Sequence, residues 1–195
     1  MNPAARSRCT AETFERRYCH QPDPWGFRTS VYERTRYETT LAALPRERYA
    51  FAFEPGCSIG ELTSLLARRC DRILATDVSA TAVARARERC DTLQNVRIEC
   101  ADFRGILFEK PPDLIVLSEI AYYFDPDELA HLAARLADVL QPGGTLIAVH
   151  WLGVSPDHVL HADEAHAVLA GAFAALRHGG SQRHDGFRLE LWTRQ

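Results

Sequence analysis

No run of about 18 consecutive apolar residues, the length a membrane-spanning helix needs, occurs in these 195 residues. The stretch from Met1 to Arg17 is polar and lacks the apolar core of a secretion signal. Lysine is almost missing: Lys110 is the single one among 23 basic residues, the others being arginine, and 26 acidic residues bring the net charge to −3. A surface of that sign offers no basic field to gather nucleic acid, so a nucleic-acid partner is not expected. The six cysteines (Cys9, Cys19, Cys57, Cys70, Cys90, Cys100) contain no C-x-x-C pair, and several sit inside apolar or helical runs. They are expected to be buried, reduced thiols, with no metal centre. No internal repeat or low-complexity tract is present. The expectation from these absences is a soluble cytoplasmic protein that needs neither membrane nor metal. Its hydrophobic content of 46% over this length suits one α/β domain.

What is present is concentrated in Phe51-Ala-Phe-Glu-Pro-Gly-Cys-Ser-Ile-Gly-Glu-Leu62. An apolar run from Tyr49 to Phe53 stops at Glu54-Pro55-Gly56, and helical spacing (Ile59, Leu62, Leu65, Leu66) begins at once, which predicts strand, tight turn and helix. The first N–H groups of such a helix lack partners and can serve a polar ligand. Gly56 and Gly60 let a ligand approach the backbone, and Ser58 is small enough not to block it, or simply caps the helix. The next apolar run, Arg72 to Asp77, ends in an acid, as a second parallel strand does when its carboxylate accepts from both hydroxyls of a ribose. A dinucleotide fingerprint would require glycine at 58 and 61, where Ser58 and Glu61 stand, so a nicotinamide dehydrogenase is disfavoured.

Further along, Ser30 with Glu33 predicts a capped helix that ends before Pro45, preceded by a short helix around Ala11–Tyr18 and a turn-rich segment holding Trp25. Tyr32, Arg36 and Tyr37 fall off the apolar stripe of the capped helix, so they either line a site or pack. Ser79 caps a helix to about Cys90, and Asn95–Cys100 is a third strand leading to Asp102-Phe103. Pro112–Ser118 is apolar at successive positions, as in a parallel strand buried on both faces, and it ends in Glu119, Tyr122 and Tyr123. A helix from Asp127 to Leu140, a fifth strand Thr145–Trp151 and a loop over 152–166 with His158, His161 and His166 follow. The histidine spacing fits no closed zinc pattern, so that loop is expected to face substrate. A helix from Asp163 to Leu176 then precedes a hairpin of Arg177–His184 with Gly186–Arg194.

The series Glu54-x-Gly56-x-Ser58-x-Gly60 followed by Asp77, with Leu140-x-Pro142-Gly143-Gly144 before the fifth strand, resembles class I S-adenosylmethionine-dependent methyltransferases. The resemblance implies a Rossmann-like α/β fold: a mostly parallel seven-stranded sheet, helices on both faces and an antiparallel carboxy-terminal hairpin. Residues 1–45 would form a cap segment and helix over the cofactor, and 46–195 the methyltransferase domain proper, within one domain overall. S-adenosylmethionine is the implied cofactor and S-adenosylhomocysteine the product. By the same resemblance Gly56, Ser58 and Gly60 lie under the methionine part and ribose, Asp77 binds the ribose, Asp102 takes the adenine amino group and Phe103 flanks the ring. Glu54, Val78 and Ser118, with Trp25, Tyr32 and Arg36 from the cap, complete the expected cofactor set.

The string Asp23-Pro-Trp25, Ser30-x-Tyr32-Glu33, Arg36-Tyr37, Thr40-Leu41 narrows the resemblance to the nodulation protein S family, which methylates the amine of a deacetylated chitin oligosaccharide. The implied acceptor is a small polar molecule, an amine on a sugar or oligosaccharide. O-methylation of a small metabolite and a non-catalytic cofactor-binding domain are the alternatives. Glu119, Tyr122 and His150 are the expected catalytic residues, at strand ends beside the methyl donor, with Tyr123 and Trp151 near them.

Overall fold

The computed structural model describes residues 10–195, so the expectations for Cys9 and for the first residues of the cap segment lie outside it. The chain forms two compact units, Ala11–Leu107 and Phe108–Gln195.

The first unit runs α1 (Ala11–His20), α2 (Val31–Ala43), β1 (Ala52–Pro55), α3 (Glu61–Leu66), β2 (Ile73–Asp77), α4 (Ala80–Arg89) and β3 (Val96–Cys100). β1 pairs with β2 and β2 with β3, all parallel, in a register that sets Glu54 beside Ala75 and Asp77 beside Cys100. Every residue of β1 is buried, as its unbroken apolar run requires. Ser30 Oγ accepts from the Glu33 N–H (3.4 Å), and Ser79 Oγ from the Ala82 N–H (3.0 Å), so both helices start where their capping signals predict. β1 begins later than the apolar run, because Tyr49 instead forms an isolated parallel bridge with Cys70. α3 has only six residues and tightens into a 3-10 turn at Ala67–Arg69, whose carbonyl ends are taken by Asn95 Nδ2, 2.8 Å from both Ala67 O and Cys70 O.

The second unit runs β4 (Leu114–Ser118), α5 (Pro126–Val139), β5 (Thr145–Trp151), α6 (Ala162–Ala172), β6 (Arg177–Arg183) and β7 (Phe187–Thr193). β4 and β5 are parallel, while β7 is antiparallel to both β5 and β6. Pro126 sits in the first turn of α5, which buries Leu129, Leu132, Ala133 and Leu136. The far end of α5 is closed by the Arg194 guanidinium, which donates to Asp138 O and Leu140 O (both 2.5 Å). α6 starts at Ala162 and ends at Ala172, shorter than its sequence suggests, and buries Ala162, Ala165, His166 and Leu169. β6 is exposed along most of its length, and its polar residues suit an edge strand.

The expectation for the cysteines holds for Cys57, Cys70 and Cys90, which are buried, and fails for Cys19 and Cys100. Cys100 is the last residue of β3, whose side chains are largely uncovered, and Cys19 lies on the outer side of α1. Among the described residues no helix is long and apolar enough to cross a membrane.

Candidate active site

The turn between β1 and α3 is built on three left-handed residues: Gly56 (φ 71°), Ser58 (φ 52°) and Gly60 (φ 79°). A Cβ at Gly60 would come within 3.1 Å of Ala86, so glycine is required there by the approach of α4 as well as by the backbone angle. The turn is tied to β2 by the Cys57 N–H donating to Thr76 O (2.9 Å) and the Ser58 N–H donating to Asp77 Oδ2 (2.9 Å). The other Asp77 oxygen accepts from the Ser79 N–H (2.9 Å). Burial pushes the Asp77 carboxyl up, against the downward pull of the N–H groups of Ser79, Ser58 and Val78. One carboxylate thus braces both the glycine turn and the start of α4, with lone pairs remaining for further donors.

Glu54, at the end of β1, is 2% exposed, and its Oε2 has no hydrogen-bond partner. Burial foremost raises its pKa to about 7, and the Asp77 charge adds to this. Thr63 is close enough to pull the other way, although Thr63 Oγ1 makes no hydrogen bond of normal geometry. Asp102 caps the 3-10 turn Phe103–Gly105 through the Arg104 N–H (3.0 Å) and receives the Arg104 Nε (2.7 Å). Burial acts to raise its carboxyl, and the Arg104 bonds outweigh it and hold the group low. Because β2 and β3 are neighbours, Asp77 and Asp102 follow adjacent strand ends.

α1 lies on this turn. The Tyr18 hydroxyl donates to Ser58 Oγ (2.6 Å), and Tyr18, Ile59 and Ala82 form a buried cluster against which Trp25 and Phe27 pack. Glu15 reaches the cap of α4, accepting from Ser79 Oγ (2.6 Å), Thr81 Oγ1 (2.5 Å) and the Thr81 N–H (3.1 Å). The Ser79 hydroxyl foremost, then Thr81, lowers the Glu15 pKa to about 2. A depressed folded-state pKa adds stability above the ordinary glutamate value, and that stability is lost as pH falls from about 4.5 to about 2. Glu15→Gln is therefore expected to speed amide exchange over residues 11–20 severalfold at pH 7, with most of the difference from the parent gone by pH 2. Trp25 packs on Phe14, Tyr18 and Phe27 at ring distances of 6.3, 5.5 and 5.7 Å. Arg36 is 1% exposed, bonds Glu33 one turn back (Nε 3.0 Å) and lies over the Tyr37 ring. Tyr32, Val78 and the buried Phe103 belong to the same unit.

In the second unit, Ser118 ends β4 and Glu119 follows in a left-handed conformation (φ 57°) that a non-glycine residue adopts only under constraint. The constraint is visible: the Glu119 N–H donates to Val149 O (3.0 Å), its Oε1 accepts from the Trp151 N–H (2.8 Å), and its Oε2 accepts from the Tyr122 hydroxyl. The His158 ring stacks on Tyr122 (3.7 Å, 19°) with Tyr123 and Trp151 edge-on to it. Tyr122 O in turn accepts from the N–H groups of Val159 (2.9 Å) and Leu160 (3.2 Å), which fixes the loop carrying His158. Burial foremost, then His161, lowers the His158 pKa to about 4 against the pull of Asp157, so the ring is neutral near pH 7.

His150, expected as a base, is enclosed instead. It is 0% exposed, its Nε2 accepts from the Ala121 N–H (3.0 Å), and its Nδ1 meets His166 Nε2 (3.1 Å). Both ring nitrogens are engaged and no substrate can reach them, which removes it from the acid–base candidates. The loop histidines part company as well: His158 stacks on Tyr122, His161 precedes α6, and His166 is buried within α6.

The sequence profile of the family described as Nodulation protein S (NodS) matches residues 9–184. The chain belongs to that family. A Nodulation protein S of Bradyrhizobium diazoefficiens is 33% identical over 154 residues, 76% of this chain and 72% of that protein. A solved Pseudomonas syringae structure is 39% identical and covers 85% of this chain and 100% of its own, with a TM-score of 0.74. The N-methyltransferase NodS from Bradyrhizobium japonicum, solved with S-adenosylhomocysteine, shares 23% identity and the same fold, with a TM-score of 0.79 over 94% of this chain and 97% of its own. The seven strands, parallel but for the carboxy-terminal hairpin, are those of the class I methyltransferase fold that the NodS-like motifs imply.

Of the expected cofactor residues, the first unit brings Glu54, Gly56, Ser58, Gly60, Asp77 and Val78 together around one turn, with Asp102 and Phe103 beyond the next strand end. The second unit brings Glu119 and Tyr122 into contact. Tyr18, Glu15 and Glu190 are not among the expected site residues, and His158 and His166 are expected only as members of the substrate-facing loop. Helical spacing carries a signal for two of them: Ala162, His166, Leu169 and Phe173 trace a buried stripe, and the buried Tyr18 stands one turn after the half-buried Phe14.

Proposed function

We propose that this NodS-family chain transfers the methyl group of S-adenosylmethionine to the amine of a small polar acceptor, an amino sugar or an oligosaccharide bearing one. It is an S-adenosylmethionine-dependent methyltransferase, and the bound donor supplies an electrophilic methyl on a sulfonium and leaves as S-adenosylhomocysteine. The observation that carries the acceptor class is Glu119, a carboxylate locked by Trp151 and Tyr122 among aromatic faces. Rings and a fixed negative charge attract a protonated amine. The ammonium gives its proton to solvent before transfer, and the same carboxylate then accepts one remaining N–H of the neutral amine and so aims the lone pair. Neutral His158 adds no competing positive charge.

The donor set fits the cofactor. Gly56, Ser58 and Gly60 open the backbone, Asp77 keeps lone pairs for ribose hydroxyls, and Asp102 with Phe103 would hold the adenine. The unpartnered Glu54 Oε2 is a buried acceptor that an ammonium group would satisfy. Val78 adjoins Asp77, Ser118 ends β4, and we assign the part of the cap to the segment 1–45 through Trp25, Tyr32 and Arg36. The reaction is placed in the cytoplasm, in keeping with the buried free thiols Cys57, Cys70 and Cys90.

If an ammonium meets Glu54, binding must lower the carboxyl from about 7 and release a proton. Calorimetry near pH 6.5 in buffers of differing ionisation enthalpy should show that release, and Glu54→Gln should abolish it. The function itself is tested by S-adenosylhomocysteine release against amino sugars and partly deacetylated chitin oligosaccharides. Turnover is expected on free amines and not on their N-acetylated forms. Turnover of hydroxyl acceptors without preference for amines would make the enzyme an O-methyltransferase, and cofactor binding with no product on any acceptor would leave a non-catalytic domain.

A further inference from the structure

Behind Glu119 and Tyr122 lies a buried polar chain that the proposed chemistry does not use. The Ala121 N–H donates to His150 Nε2 (3.0 Å), His150 Nδ1 meets His166 Nε2 (3.1 Å), and His166 Nδ1 meets Glu190 Oε2 (2.6 Å). His150 and His166 are 0% exposed and Glu190 is 4% exposed. The second Glu190 oxygen accepts from Arg188 (2.9 Å) and lies 3.6 Å from His178 Nε2. β5 and β7 supply His150 and Glu190 on one face of the sheet, and α6 supplies His166 from above.

A backbone N–H can only donate, so His150 Nε2 must be the acceptor, and the proton of a neutral ring is then on Nδ1. His150 Nδ1–H donates to His166 Nε2, which puts the second proton on His166 Nδ1, facing the carboxylate. Each link dictates the next. If His166 takes the other tautomer, two N–H groups confront each other at His150, and if His150 yields, two confront each other at Ala121. With both rings fully buried, two facing donors leave each other unpaired, and neither conflict can be relieved in place. The turn Ala121–Tyr123 would have to move, and with it the Tyr122 hydroxyl that holds Glu119 and the Tyr122 carbonyl that holds the His158 loop.

We propose that Glu190 and His166 are positioning residues, which act through His150 to fix the Ala121 turn and thereby the acceptor-binding geometry of Glu119, Tyr122 and His158. This rests on the acceptor site proposed above. It differs from plain core packing because it depends on proton placement along the chain, which isosteric substitutions can reverse.

Glu190→Gln is the test. With Arg188 donating to one terminal atom, the carboxamide must keep its oxygen there and turn its NH2 toward His166 Nδ1, which forces the wrong tautomer. Adding Arg188→Met frees the carboxamide to rotate, so that its oxygen again accepts from His166 while its NH2 faces His178 Nε2. The expected result is a roughly tenfold or larger fall in acceptor kcat/KM for Glu190→Gln, cofactor affinity within twofold of the parent, and substantial recovery in Glu190→Gln/Arg188→Met. Arg188→Met alone should stay near the parent. Nitrogen-15 spectra should show both buried rings as Nδ1–H in the parent and double variant, and a shifted Ala121 amide in Glu190→Gln. Double-variant activity at or below that of the single variant would overturn the proposal, as would Nε2–H on His150 in the parent. If no acceptor is turned over by the parent, the functional reading fails, and the spectra still decide whether the proton chain sets the turn.

Discussion

Asp77→Asn is expected to raise the S-adenosylmethionine dissociation constant roughly a hundredfold, as measured by calorimetry. In the parent, one carboxylate oxygen accepts from the Ser58 N–H and the other from the Ser79 N–H. An asparagine matches one of them, and its amide then confronts the other donor. Hydrogen bonds to charged groups are worth about 1.5–3 kcal/mol, and losing the ribose contact together with the bracing of the turn corresponds to on the order of two decades in affinity. The two roles separate with a ligand lacking the ribose hydroxyls. If Asp77 binds those hydroxyls, the deoxy ligand binds the parent much more weakly than S-adenosylmethionine does, while the variant hardly distinguishes the two. A variant with unchanged affinity for S-adenosylmethionine would remove Asp77 from the ribose site. Similar discrimination in both proteins would leave it only the structural brace.

The parts of the molecule governed by short-range rules are visible in the sequence. The caps at Ser30 and Ser79, the turn after Glu54 and the strand Thr145–Trp151 each follow from residues within a few positions of one another. The polar pairings are not legible in this way, because periodicity reports which face is buried and not what a polar group meets there. Tyr18 finds Ser58 across 40 residues and Glu15 finds Ser79 across 64. His150 stands in a strand buried at successive positions, yet its enclosure depends on His166 and Ala121, neither of which the spacing connects to it. Asp102 is the opposite case, since its partner Arg104 is two residues away and the turn it caps is set by the local sequence.

Glu119→Gln is the second large effect: acceptor kcat/KM is expected to drop about a hundredfold, as loss of a charge-assisted hydrogen bond to the reacting amine implies, while cofactor affinity stays within about twofold. The substitution changes charge and almost nothing else. The amide oxygen can take the Trp151 N–H, and the amide nitrogen can donate to the Tyr122 oxygen once that hydroxyl rotates its proton away. The left-handed backbone at residue 119 is held by the Val149 carbonyl, which the change does not touch. A neutral residue in the same place neither draws in a protonated amine nor accepts its N–H strongly, so the loss should fall on the acceptor step. Tyr122→Phe should cost less, about tenfold, because the carboxylate keeps its charge and its Trp151 donor. Equal losses of turnover and cofactor affinity in Glu119→Gln would move that residue to the cofactor side, and a larger loss in Tyr122→Phe than in Glu119→Gln would make the phenol, and not the carboxylate, the group that meets the acceptor.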